Sequence, residues 1–84
     1  MIKILYFAGL REATGCAAES LPLPDGVADV QGVIDLLRAR GGAWAEALAE
    51  AKRVRAAVNQ ELAHGQSAVC DGDELAFFPP VTGG

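Results

Sequence analysis

The two most apolar stretches of this chain stand at its opposite ends, IKILYFA at residues 2–8 and ELAFF at residues 74–78. In the first, Ile2, Ile4, Tyr6 and Ala8 share one parity while Lys3, Leu5 and Phe7 share the other. Both faces of that strand are therefore largely apolar, one for the core and one for something else. Strands of this kind belong in the middle of a sheet, so the first and last strands are expected side by side and parallel.

What lies between them must supply the cover. Asp29 is placed as the N-cap of a helix from Val30 to about Arg40, with Val30, Val33, Ile34 and Leu37 as its buried stripe and Leu36 flanking it. Gly32 weakens its first turn, no acid there completes a capping box, and Gly41-Gly42 stops it. Leu10 to Gly15 reads as a loop or a short turn of helix. Ala17 to Leu23 reads as a second strand, closed by Pro22, Pro24 and Gly26 and forming a hairpin-like pair with the first. Trp44 to Glu50 is a second, shorter helix or turn with Trp44 and Leu48 on one side. Val54 to Val58 is a strand, joined through Asn59-Gln60 to a very short one at Glu61 and Leu62. His64 to Cys70 is irregular, and Asp71-Gly72-Asp73 is a turn before the last strand. The sum is an α+β domain: a mixed sheet with one main helix on one face.

A chain of 84 residues buries roughly 60 to 68 % of its unfolded surface, enough for one modest core but not for a deep, enclosed active site as well. The formal charge of -4, with seven Lys and Arg in no long basic run, argues against nucleic acid as a partner. MIKILYFAG is too short for a signal peptide and no apolar run reaches membrane-spanning length, so no membrane partner is expected. Cys16 and Cys70 form no CxxC pair, which favours a reduced, cytoplasmic setting.

The last strand runs into Pro79 and Pro80, then Val81, Thr82, Gly83 and Gly84. Prolines end the strand and stiffen the chain away from the body. Terminal glycines carry no side chains, so the end can thread a narrow channel in another protein and present its carboxylate. Converted to a mixed anhydride with AMP, that carboxylate becomes an acyl donor open to a sulfur nucleophile. The body is thus expected at 1–78 and an extended, flexible, reactive tail at 79–84.

MIKILYFAGLRE, AAVNQEL and DGDELAFFPPVTGG, in that order and spacing, resemble the sulfur-carrier (small) subunits of molybdopterin synthase, in the ubiquitin-like β-grasp superfamily. The likeness spans essentially the whole chain. It implies a cycle in which a ubiquitin-activating-like adenylyltransferase uses ATP to adenylate Gly84, beside Gly83, in a transient acyl-adenylate. A persulfide donor then gives a Gly84 thiocarboxylate. The tail enters the large, catalytic subunit, which holds cyclic pyranopterin monophosphate, and two sulfur deliveries build the dithiolene. It implies further a heterotetramer, catalytic side chains on the large subunit, and no permanently bound cofactor.

Parity and that likeness together indicate a docking face. With Leu75 and Phe77 facing the core, Ala76 and Phe78 face outward, and Phe7, Leu62 and Phe78 form an exposed apolar cluster near the tail. Phe7, Leu62, Phe78, Pro79, Pro80, Val81 and Thr82 are accordingly the expected partner-binding residues. Cys16 and Cys70 read as small half-buried hydrophobes, and His64, single and in a polar loop, as neither metal ligand nor base. Asp71 and Asp73 are explained by turn chemistry, although they and Glu74 could also meet basic residues of an activating enzyme. Three other functions fit parts of the sequence: a thiocarboxylate carrier of the thiamine-thiazole type, a protein modifier joined to lysine through Gly84, and an interaction module that never reacts. The FFPPV approach and the insertion with Trp44 favour the molybdopterin type over the thiazole type.

Overall fold

The computed structural model describes residues 1–49 and 54–79. Its elements are β1 (Ile2–Tyr6), α1 (Ala8–Thr14), β2 (Ala18–Leu21), α2 (Val30–Arg38), α3 (Gly42–Ala47), β3 (Arg55–Val58), β4 (Glu61–Ala63) and β5 (Glu74–Phe78). The strands form one sheet in the order β2-β1-β5-β3-β4. β1 and β5 lie side by side and parallel, with Ile4 opposite Leu75 and Tyr6 opposite Phe77. The first and last strands thus meet inside the sheet, as their apolar patterns require. β2, β3 and β4 add antiparallel neighbours on either side.

One face of the sheet carries the core. Ile2, Ile4, Tyr6, Leu75 and Phe77 are buried in a single cluster with Val30, Val33, Ile34 and Leu37 of α2. Fully burying side chains of this size stabilises the fold by about 1.5–3 kcal/mol each, which makes the α2–sheet contact its main source of stability. Leu21, Ala56 and Val69 join the same cluster, as do Leu10 of α1 and Leu48, just past α3. These two short helices close the margins that α2 alone leaves open.

Capping of α2 follows the sequence reading and exceeds it. The Asp29 carboxylate accepts the Gly32 N–H at 2.8 Å, a bond whose loss costs about 1 kcal/mol. The other free N–H groups of the first turn, those of Val30 and Gln31, donate to the carbonyls of Ser67 and Gly65 at 3.1 and 2.9 Å. The irregular segment from His64 to Cys70 is therefore the lid on this helix end. Gly32 gains a reason of its own: a Cβ there would lie 3.1 Å from both Asp29 Oδ1 and Val27 Cγ1.

Several expected boundaries shift. β1 ends at Tyr6 rather than Ala8, because Ala8 adopts φ +50° and opens α1. Consequently β1 and β2 pair antiparallel, yet a helix rather than a hairpin turn joins them. β2 stops at Leu21, before Pro22. α2 ends at Arg38, and the N–H groups of Arg40 and Gly41 bond three residues back in a tightening turn before Gly41 at φ +75°. The Asn59-Gln60 connection is as expected, both residues having positive φ in a two-residue hairpin loop.

Candidate functional site

The outer face of the sheet is built row by row from strand register. Leu5 lies opposite Ala18 on one side and Ala76 on the other; Ala76 lies opposite Ala57, and Ala57 opposite Leu62. One step toward the tail, Phe78 lies opposite Arg55. Phe7 continues the parallel pairing on the other side, its N–H donating to the Phe77 carbonyl at 3.1 Å. One step away from the tail, Lys3 lies between Ser20 and Glu74. The face therefore grades from polar at the start of β5 to the aromatic pair Phe7 and Phe78 where the chain leaves it, with Arg55 the one charged residue in that last row.

Exposure follows the same grade. Phe7 is 46 % and Leu62 83 % exposed, values large for side chains of this kind, while Phe78 and Pro79 are half-buried. Phe7 and Phe78 are neighbours. Leu62 stands at the edge of the sheet, two strands from β5, about 10 Å across an alanine floor made by Ala76 and Ala57. The expected cluster is thus a band with a bulky residue at each end. The alanines and Leu5 contribute to it, and register alone could have added them. Pro80, Val81, Thr82, Gly83 and Gly84 lie outside the described residues.

Hydrogen bonds explain two of the sequence motifs structurally. The Asn59 side chain donates to Asp73 Oδ1 at 3.0 Å and accepts the Glu74 N–H at 3.0 Å, while the Asn59 N–H donates to the Glu74 carbonyl at 2.8 Å. Asp73 Oδ2 accepts the Cys70 N–H at 2.8 Å. The bond from Cys70, then that from Asn59, hold the Asp73 carboxyl below its ordinary value. Asn59 in one motif and Asp73-Glu74 in the other are two halves of a clasp that fixes the start of β5. His64 likewise serves its own loop, its Nδ1 accepting the Gln66 N–H at 3.1 Å.

A polar cluster that sequence reasoning missed sits at the opposite margin, on the core side of β2. The Tyr6 hydroxyl donates to Glu19 Oε2 at 2.9 Å, and Arg40 grips both Glu19 oxygens at 2.9 and 2.7 Å. The Arg40 guanidinium lies 4.5 Å from the centre of the Trp44 ring, which packs edge-to-face with Tyr6, ring centres 5.2 Å apart. Arg40 is the main cause holding the Glu19 carboxyl below its usual value, and burial, then Glu19, pushes the Tyr6 phenol up. This cluster closes on itself and anchors α3. Members so far apart in sequence carry no local signal of it.

Of the two cysteines expected to be half-buried, Cys16 is so placed, its thiol 3.4 Å from the Ala18 carbonyl, but Cys70 is exposed. The turn's hydrogen bonds hold the Cys70 backbone, which leaves its side chain nothing to pack on. Among the described residues no group of three or more His, Cys, Asp or Glu is arranged to hold a metal, and no helix is long and apolar enough to cross a membrane.

Comparison with known proteins decides the family. Residues 4–84 match the ThiS family. The chain belongs to the ThiS family. It is 44 % identical to the molybdopterin synthase sulfur carrier subunit of Haemophilus influenzae and 43 % identical to that of Escherichia coli, over 100 % of each chain in both cases. Among solved structures it is similar to small archaeal modifier protein 1 of Haloferax volcanii, with a TM-score of 0.72 and 30 % identity over 95 % of this chain and 97 % of that one. The resemblance read from MIKILYFAGLRE, AAVNQEL and DGDELAFFPPVTGG is borne out, and with it the β-grasp fold.

Proposed function

We propose that this chain is a sulfur carrier for molybdopterin synthesis, working as the small subunit of molybdopterin synthase. The observation that carries this reading is full-length similarity to named sulfur carrier subunits, which includes the FFPPVTGG end. An adenylyltransferase partner activates the Gly84 carboxylate with ATP, releasing pyrophosphate. The outer sulfur of a persulfide donor displaces AMP to form an acyl disulfide, and a second thiol cleaves its S–S bond, releasing the thiocarboxylate and leaving a disulfide between that thiol and the donor. The outer band of Phe7, Leu62, Phe78 and Pro79 docks on the large subunit, and Pro80, Val81, Thr82 and Gly83 lead Gly84 to the cyclic pyranopterin monophosphate held there. Body and tail divide the work at residues 78 and 79, with no cofactor kept by this chain and the setting cytoplasmic. Deleting Gly83-Gly84 is expected to abolish sulfur transfer in a reconstituted synthase while leaving the thermal unfolding midpoint and most of the large-subunit affinity unchanged. A truncated chain that still supports molybdopterin formation contradicts the proposal.

Similarity to small archaeal modifier protein 1 favours a second reading. In it the same activated Gly84 forms an isopeptide bond with lysines of target proteins. Covalent adducts that survive denaturing electrophoresis and reducing agent would identify it; thioester or thiocarboxylate chemistry leaves none.

A further inference from the structure

The outer band contains one residue that does not suit an apolar interface. Arg55 opens β3, is exposed, and lies opposite Phe78 in the row nearest the tail. Its neighbours on that face are Phe78, Ala57 and, across β5, Phe7. Lys3 on the same face lies opposite Glu74, and Arg40 grips Glu19 on the other side of the sheet. Among the described residues no carboxylate lies within ion-pair distance of Arg55.

A guanidinium covered by a partner loses its water. Left unpaired in an apolar contact, it opposes binding, and a well-aligned opposing carboxylate is the partner that offsets this best. Arg presents five donors in a planar fork suited to such a bidentate contact. We infer that Arg55 is a specificity-determining residue of the docking face, which accepts large subunits presenting an Asp or Glu beside the entry of the tail and rejects those presenting an apolar or basic side chain there. The inference rests on the docking role proposed above and adds to it the chemistry of the partner surface. Repulsive as well as attractive contacts set the discrimination, since a cationic surface at this point meets the guanidinium directly.

The test is the dissociation constant of the full-length chain for its large subunit, measured by titration calorimetry over a range of salt. Wild type, Arg55→Glu, Arg55→Lys and Leu62→Glu are compared, each first checked for native circular dichroism. Arg55→Glu is expected to weaken binding at least ten-fold at low salt and to flatten its salt dependence, with Arg55→Lys in between. Leu62→Glu, which leaves the charge pair intact but puts a carboxylate in the apolar end of the band, is expected to weaken binding. If Arg55→Glu binds within two-fold of wild type, or more tightly, while Leu62→Glu is weakened, the face docks but Arg55 does not select, and the inference is overturned. If neither variant alters binding, the docking reading itself fails.

Discussion

At the scale of single residues, Asn59 shows how a motif can look functional and be architectural. Its backbone takes φ +50°, and its side chain both donates to Asp73 and accepts from Glu74. Asn59→Ala loses two hydrogen bonds, each worth about 1 kcal/mol, and adds about 1 kcal/mol of left-handed strain. It should therefore cost about 2–3 kcal/mol in urea unfolding, whereas Asn59→Gly, free of the strain, should cost about 1 kcal/mol less. Equal losses would show that the φ angle is not what asparagine is there for. Glu19 gives a pH test. Its carboxyl is held below the ordinary value of 4.5, chiefly by Arg40. A carboxylate depressed on folding stabilises above its unfolded value and loses that contribution as pH falls toward its folded one. The stability advantage of wild type over Glu19→Gln should thus be complete near about pH 7 and shrink steadily below about pH 4.5. A gap independent of pH would mean that the ion pair contributes nothing.

At the scale of elements, the parts legible in advance were those with dense local patterns. β1 and β5 announced their place through apolar residues on both parities, and α2 through Val30, Val33, Ile34 and Leu37 with Asp29 before them. α1 carried only Leu10 as a buried anchor, too little for periodicity to separate a helix from a loop. The segment from His64 to Cys70 looked irregular because its regular partner lies elsewhere: its carbonyls receive the first N–H groups of α2. Asp29→Ala removes one donor's partner and leaves those two bonds in place. It should cost about 1 kcal/mol and speed amide exchange at Gly32 more than at Val30 or Gln31, measured by hydrogen exchange. Equal acceleration at all three amides would mean that the Asp29 carboxylate, not the segment above it, holds the whole end.

At the scale of the whole molecule, the sheet divides the labour by face. One face spends its apolar residues on α2, and the other keeps a band from Phe7 and Phe78 to Leu62. Parity made this band readable before any coordinates, although the alanine floor and the distance to Leu62 needed the strand order. The Tyr6–Glu19–Arg40–Trp44 cluster was out of reach, because its members meet only once β2, α3 and the turn after α2 are assembled. The proposed function asks of this architecture a rigid base for a tail that does chemistry in another protein's site. The most direct test is accurate-mass analysis of the C-terminal peptide after incubation with the activating enzyme, ATP and a persulfide donor. Replacing one oxygen by sulfur adds about 16 Da, close to the gain from oxidising Met1, so exact mass and assignment to the last residue are both needed. The account predicts a thiocarboxylate at Gly84 that appears only when ATP and the donor are both present. A Gly84 that stays a free carboxylate under those conditions contradicts it.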